Sequence, residues 1–322
     1  MTAKQTFNRI GWALCAAVGS LIAVQIALNA ILRVSGLVAP ESEGVGWVGW
    51  LASFLPVYAC ALPLGYCLLR RVPAEGHDGT PLGGKNFLVF LLMCFPLMYA
   101  GNLIGTLLSA LLSGGAAENP LLGFAFDDNP IKLLVMVVLA PLFEEWFFRK
   151  QLIDHSARYG EKTAILLSAL AFALFHGNLY QLFYAFALGL LFAYVYVRTR
   201  RLRYPVLLHM IVNFMGTVVG PLVLSAVDME ALEQVQSGAM DEAALTALLP
   251  GVGVLMLYGL VIIGLSIAGL VLLILRAHRL VFLPAEEELP KEGRFQTVYA
   301  NAGMILYALL CIGLCVASLF LS

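Results

Sequence analysis

The chain alternates between nine long apolar runs and short polar segments. The runs lie at 10–32, 46–69, 86–112, 131–148, 163–177, 181–197, 206–225, 248–275 and 298–321. Most of them reach the length of about 20 residues with which a helix crosses roughly 30 Å of hydrocarbon. Lipid offers no partner for backbone N–H and C=O groups, which favours helices. The pattern therefore predicts an all-α, polytopic transmembrane helical bundle with about nine spans.

The composition supports a membrane protein and excludes an ordinary soluble enzyme. Hydrophobic residues make up 61% of the chain and charged residues 12%, and the mean hydropathy is +0.89. Soluble domains carry roughly 25% charged residues. All six cysteines lie inside predicted helices, so neither a disulfide framework nor a cysteine-based zinc site is indicated. We expect the lipid bilayer as a partner and no nucleic acid.

The distribution of basic residues predicts the orientation. With the N-terminus inside, all but two of the 19 Lys and Arg residues fall in inner segments, and only Arg33 and Lys132 fall outside. Such a bias marks the cytoplasmic side of membrane proteins. The nine spans then place the C-terminus outside. The compact chain shows no organelle signal and is interpreted as an integral protein of a prokaryotic inner (plasma) membrane.

A few polar side chains lie inside the apolar runs and are the candidates for function. A charged residue near the middle of a span costs about 2.5–3.5 kcal/mol on insertion, so it tends to face a cavity or a partner. The segments that carry them read "LFEEWFFR", "FALFHGN" and "LLHMIVNF". The candidates are Glu144, Glu145, Arg149, His176, His209 and Asn213.

Helical spacing separates the two adjacent glutamates. Residues four apart share a helix face, so Glu145 is expected to pair with Arg149, whereas Glu144 has no local partner. Pro141, one turn earlier, removes a backbone hydrogen bond and is expected to widen a polar cavity beside Glu144. The spacing therefore predicts a structural role for Glu145 and a chemical role for Glu144.

The depth of the candidate side chains in the membrane can be predicted by counting residues from the polar turn at Gly160. This turn lies 16 residues from both Glu144 and His176, so antiparallel α-helices would bring the two side chains level. His209 follows Pro205 closely and is expected nearer the inner boundary. The count thus predicts contact between Glu144 and His176 and leaves the place of His209 open.

Three motifs in order resemble those of one family of membrane proteases. "EEWFFR" fits E-E-x-x-x-R, "FALFH" fits F-x-x-x-H and "HMIVN" fits H-x-x-x-N. Together they resemble the CPBP family, which includes type II CAAX prenyl endopeptidases and abortive-infection and bacteriocin-processing proteins. The resemblance covers about residues 130–218 as a catalytic core, with transmembrane helices at 1–129 and a loop and further helices at 219–322.

The resemblance implies a helical intramembrane endopeptidase with assigned site residues. Glu144 and His176 would activate water, and His209 and Asn213 would support the oxyanion or the substrate carbonyl. Structural support would come from the remaining motif positions, Glu145, Arg149 and Phe172. The implied substrate is a membrane-associated protein or peptide; a bacteriocin-like precursor is favoured over a prenylated protein.

The resemblance leaves the chemistry open between glutamate and zinc. In a zinc site the ligands would be Glu144, His176 and His209, with an open fourth position. The metal-free mechanism, with no cofactor, is favoured because the chain lacks H-E-x-x-H and offers no obvious carboxylate to orient either histidine. Zinc remains the alternative.

Two functions of other classes compete with the protease. A non-catalytic scaffold or immunity-type binding protein would keep the polar cluster for folding or partner contact. A transporter would use it as a proton or substrate site, although the chain shows no internal repeat. The expected protease site opens to the cytoplasmic side, where anionic groups would be drawn by the basic residues Arg149, Lys150, Arg198, Arg200, Arg201 and Arg203.

Overall fold

The structure is a computed structural model that describes residues 1–36, 46–76, 78–237 and 242–320. Across these four ranges the regular structure is helical and contains no strand. The predicted all-α, polytopic helical bundle is therefore confirmed. His77 and Asp241, which the sequence places in loops, lie outside the described residues.

Twelve helices make up the described part of the chain, and three of them, α2, α5 and α8, contain wider π-helical turns. The first six are α1 (Ala3–Val34), α2 (Gly46–Leu69, with a π turn at Pro56–Ala61), α3 (Gly84–Ser113), α4 (Leu122–Phe126), α5 (133–154) and α6 (Glu161–Phe175). The last six are α7 (Leu179–Thr199), α8 (Arg203–Leu224), α9 (Met229–Gln236), α10 (Glu242–Ala277), α11 (Arg294–Val298) and α12 (Ala302–Phe320). A further π turn in α8 spans Met215–Val219.

Helix α5 is the least regular of the long helices. It runs through a π turn at Leu133–Leu139, an α-helical turn at Ala140–Glu144, a second π turn at Glu145–Gln151 and a last turn at Leu152–Asp154. π turns are rare and are found mostly at functional sites. The two glutamates lie at the junction between the α-helical turn and the second π turn.

Within the described ranges, seven helices are long and apolar enough to cross a membrane: α1, α2, α3, α7, α8, α10 and α12. Each coincides with one of the nine apolar runs. The other two runs form α5, which carries several charged residues, and α6, which has 15 residues. The number of nine spans and the orientation of the chain stay predictions.

Small residues allow the helices to pack closely around the core. A Cβ atom at Gly101 of α3 would lie 2.5 Å from the backbone of Tyr184 in α7. A Cβ atom at Gly11 of α1 would lie 2.3 Å from the backbone of Gly303 in the first turn of α12. Such close approaches of backbones are typical of membrane helices. They hold α3 against α7, and α1 against α12.

The last helix, α12, supports the middle of the chain. The Tyr307 hydroxyl donates to the Ala171 carbonyl of α6 at 2.6 Å. The Leu314 side chain lies 3.0 Å from the position of a Cβ at Gly177, in the turn that follows α6. Gly177 has φ +61°, in the left-handed region that favours glycine. The end of α6 is therefore fixed by a helix far along the sequence.

Candidate active site

The site begins where Pro141 interrupts the hydrogen bonds of α5. The Ala140 N–H donates to the Val135 carbonyl five residues earlier, as in a π turn. In the same register Pro141 would donate to the Met136 carbonyl, but proline has no N–H. The Asn213 side chain of α8 donates to that carbonyl instead, at 2.8 Å. Asn213 therefore replaces the missing backbone donor and joins α8 to α5.

Glu145 and Arg149 form the ion pair that their spacing predicts. Glu145 Oε2 lies 2.9 Å from Arg149 Nε, and both side chains are fully buried. The guanidinium also donates to Ser168 Oγ of α6 at 3.1 Å and lies 4.4 Å from the centre of the Phe172 ring. The pair thus connects α5 to α6 inside the core.

The structure gives Glu145 a second partner that the sequence did not indicate. Glu145 Oε1 lies 2.9 Å from Nδ1 of His209, which is buried between the rings of Phe172 and Phe192. A carboxylate at Nδ1 holds a proton on this nitrogen and directs Nε2 to the other side of the ring. The expectation that neither histidine has an orienting carboxylate is therefore wrong for His209. The expectation fails because residue spacing within one helix gives no information about contacts between α5 and α8.

Glu144 points away from Glu145 and remains partly accessible. Its side chain is 15% exposed, and Oε2 lies 3.9 Å from His209 Nε2. Its other oxygen, Oε1, accepts a hydrogen bond of 3.4 Å from the Tyr58 hydroxyl of α2. The Tyr58 ring stacks on Phe143, with centroids 5.3 Å apart. The Glu144 carboxylate therefore lies between His209 and Tyr58, and Tyr58 belongs to no motif.

His176 lies at the end of α6, with one ring nitrogen engaged. Its Nδ1 lies 2.8 Å from the Phe172 carbonyl, so this nitrogen carries the proton and Nε2 keeps its lone pair. The ring meets Phe172 edge-on, with centroids 4.7 Å apart. Asn178, the N-cap of α7, donates to the His176 carbonyl at 2.9 Å and accepts from the Gln181 N–H. The turn between α6 and α7 thus fixes His176.

No direct hydrogen bond or ion pair forms between Glu144 and His176, which were expected to be in contact; both residues are among those described. His209, expected to lie shallower, is the histidine beside Glu144. The count of residues did not anticipate this because it assumed regular α-helix, whereas a π turn and a short 3₁₀ turn at Ala157–Tyr159 intervene before Gly160. Phe172 instead lies against both histidine rings.

The residues named for zinc do not form a ligand set. Among the described residues, no three His, Cys, Asp or Glu side chains are arranged to hold a metal ion. Glu144 and His209 approach each other, whereas His176 makes no hydrogen bond or ion pair with either of them among the described contacts. Structural zinc sites need four ligands and catalytic sites three, each at about 2.0–2.3 Å. The side chains as placed therefore do not fit the zinc site, and the dependence of activity on metal stays open to experiment.

The basic residues at the inner end of the site are largely paired. Arg149 is buried in the core with Glu145, so it presents no charge to the surface. Arg198 pairs with Glu161, and Arg200 lies 3.1 Å from Asp154. Lys150 also lies 3.4 Å from Asp154, so four of the six residues that were expected to attract anionic groups have an acidic partner. The expected steering is therefore weaker than the sequence suggests.

Comparisons with known proteins match the part of the chain that carries this site. Residues 127–215 match the family model described as "Type II CAAX prenyl endopeptidase Rce1-like". The "Putative membrane peptidase YdiL" of Bacillus subtilis (strain 168) is 36% identical over 88 residues, which are 26% of this chain and 35% of that protein. The "Membrane-embedded CAAX protease MroQ" of Staphylococcus aureus (strain USA300) is 27% identical over 139 residues, 40% of this chain and 56% of that protein.

The matches are local. The chain spans about a third and just over half of the length of these two curated relatives. No solved structure matches the chain significantly. The matched segment nevertheless contains all of the motif residues, and both relatives carry names of membrane peptidases. The resemblance that the three motifs indicated is therefore confirmed: residues 127–215 are similar to the Rce1-like, type II CAAX prenyl endopeptidase family.

Proposed function

We propose that this chain is an intramembrane endopeptidase that hydrolyses peptide bonds of membrane-associated proteins or peptides with water activated by Glu144. The proposal rests on a series of contacts that runs from Arg149 through Glu145 and His209 to Glu144. The first three are joined at 2.9 Å, and His209 Nε2 then faces the Glu144 carboxylate at 3.9 Å. Glu144 can therefore act as the base, and His209 can stabilise the negative charge that develops on the carbonyl oxygen of the same bound substrate.

The charges of this cluster can balance inside the membrane. With a proton on both nitrogens of His209, two carboxylates face one imidazolium and one guanidinium, and their sum is zero. Buried charges are tolerated when they are paired and hydrogen-bonded. In this state the cluster would offer a hydrogen-bond donor and a carboxylate side by side, which are the groups that amide hydrolysis needs.

In the proposed reaction Glu144 takes a proton from water while the water oxygen attacks the carbonyl carbon of the substrate. His176, through its Nε2 lone pair, accepts the other hydrogen of the water and orients it. His209 Nε2–H and the second N–H of Asn213 stabilise the oxyanion. The C–N bond then breaks, and the proton held by Glu144 passes to the leaving amine. The products are a carboxylic acid and an amine, and the acid then gives its proton to solvent.

The surroundings of Glu144 favour an apolar substrate. Leu142 and Phe143, directly before it, are 42% and 37% exposed. Together with Tyr58 they would form an apolar path between α2 and α5 by which substrate reaches Glu144. A peptide with an apolar or lipidated end fits such a path. We place the chain in a prokaryotic inner membrane, with this path open to the cytoplasmic side.

Replacement of Glu144 tests the proposal. Wild-type protein, Glu144→Gln and the exposed control Glu230→Gln are reconstituted in proteoliposomes. Each is given two fluorescence-quenched peptides, one ending in a farnesylated cysteine motif and one in an unlipidated apolar segment. Wild type and Glu230→Gln should cleave at least one peptide, and Glu144→Gln should lose about 10²–10⁴-fold in rate.

Other outcomes would overturn the proposed role of Glu144 or the proposed protease function. Full activity of Glu144→Gln would show that the base is another group. Uptake of peptide without cleavage would support a transporter, and binding without either would support a scaffold. A comparison of membrane peptides in cells that carry wild type or Glu144→Ala would identify the natural substrate.

A further inference from the structure

The N-terminal part of the chain contributes one side chain to the site. Tyr58 lies in α2, outside the segment 127–215 that the family model matches. It occupies the π turn Pro56–Ala61, in which the Leu62 N–H donates to the Val57 carbonyl five residues earlier. An inserted π turn changes the direction of the side chains on a helix, and such turns are frequent at functional sites. The position of Tyr58 therefore calls for an explanation beyond packing.

The Tyr58 ring is held from two sides. It stacks on Phe54 of the same helix, with centroids 6.2 Å apart and planes at 13°, and on Phe143 at 5.3 Å and 23°. Phe54 in turn stacks on Trp50, whose indole N–H donates to Asp127 at 2.6 Å. This column of rings fixes the phenol ring, so its hydroxyl has only rotation about the C–O bond left. The hydroxyl points to Glu144.

The contact concerns the oxygen of Glu144 that faces away from His209. Tyr58 donates to Oε1 at 3.4 Å, whereas His209 Nε2 is near Oε2. Two groups on opposite oxygens restrict rotation of a carboxylate about its last bond. A base must be held in a productive direction before proton transfer is fast. The hydroxyl contact is long for a hydrogen bond between oxygens and has room to shorten when substrate excludes water.

We infer that Tyr58 is a positioning residue that holds the Glu144 carboxylate toward the attacking water. The inference rests on the proposed function of Glu144. Tyr58 would act on the rate of the chemical step and contribute little to the binding of substrate. Its hydroxyl, rather than its ring, would carry the effect, because the ring stacks would remain in a phenylalanine.

The test is Tyr58→Phe in the proteoliposome assay with the two quenched peptides. Tyr258→Phe is the matched control, since its hydroxyl contacts Tyr99 at 2.8 Å, between α3 and α10 and away from the site. We expect kcat of Tyr58→Phe to fall about ten- to a hundredfold, the effect of one hydrogen bond to a charged group, with KM within about twofold. Tyr258→Phe should keep wild-type kcat and KM.

A second pair of variants separates positioning from a loss of structure. Glu144→Asp withdraws the carboxylate by one methylene, so the Tyr58 hydroxyl no longer reaches it. Adding Tyr58→Phe to Glu144→Asp should therefore cost less than about twofold in kcat, a clear departure from additivity. Additive losses, a change confined to KM, or wild-type kcat in Tyr58→Phe would each overturn the inference. Full cleavage by Glu144→Gln would instead overturn the proposed function, and the two failures are thus distinguished.

Discussion

Replacing Glu145 with glutamine removes a charge that serves two partners together with one of the two acceptor oxygens, and the structure assigns the loss at each partner a different consequence. Glu145 is the counter-ion of Arg149 and the acceptor for His209 Nδ1, with both distances at 2.9 Å. Removing one partner of a buried pair typically costs about 3–5 kcal/mol. Ser168 and the Phe172 ring still contact the guanidinium, so we expect the lower end, about 3 kcal/mol less in the free energy of unfolding.

The second consequence is a loss of turnover per folded molecule. A hydrogen bond to a charged group contributes about 1.5–3 kcal/mol. A neutral amide holds the His209 ring less firmly than a carboxylate, and the rate should fall about 10–100-fold. A purely structural role for Glu145, which the spacing predicts, would lower activity only with the folded fraction. The contact with His209 changes that expectation.

The assay measures both effects in the same samples. Gel filtration and thermal melting give the folded fraction, and cleavage of the quenched peptides gives turnover per folded molecule. The control is Glu145→Gln combined with Arg149→Met, because removing both charges leaves no buried charge without its partner. We expect this double variant to recover melting temperature but not turnover. Wild-type turnover in Glu145→Gln, or recovery of turnover in the double variant, would refute the reasoning.

Three further predictions follow from other parts of the structure. Asn213→Leu leaves the Met136 carbonyl without a donor and should lower stability by about 1–3 kcal/mol. In a Pro141→Ala background the new backbone N–H supplies this donor, so Asn213→Leu should lower stability by less than about 1 kcal/mol. Thermal melting measures both losses, and equal losses of stability in the two backgrounds would contradict the role of Asn213. If water is activated by Glu144 without metal, cleavage should survive strong chelators and the purified protein should lack stoichiometric zinc. Loss of cleavage on chelation, restored by zinc alone, would move Glu144, His176 and His209 into the role of ligands. With the N-terminus inside, single cysteines at the exposed positions Lys150 and Glu230 of a cysteine-free chain should react with impermeant thiol reagents from opposite faces. Reaction of both from one face would contradict the predicted orientation.

Local spacing predicted those parts of the site that lie on one helix. The i,i+4 rule gave the ion pair of Glu145 and Arg149, and the apolar runs gave seven helices with the dimensions of spans. Both follow from α-helical geometry, which is a property of adjacent residues. The motifs also marked the segment 127–215 that the comparisons match.

The parts that join distant helices were not predictable from the chain. The bond from Glu145 to His209 spans 64 residues and that from Tyr58 to Glu144 spans 86. No periodicity relates such positions. The count that placed His176 beside Glu144 also did not anticipate His209 there, because propensity does not reveal where a helix widens. The one local signal was Pro141, whose missing N–H requires a donor from elsewhere.

The support that α12 gives to α6 has a consequence for biosynthesis. Tyr307 and Leu314 hold the end of α6, where His176 lies, yet they are translated long after it. While α12 is still in the ribosome, the carbonyl of Ala171 lacks its donor and the turn at Gly177 lacks the side chain that packs on it. The end of α6, and with it the position of His176, therefore gains its full set of contacts only when α12 enters the membrane.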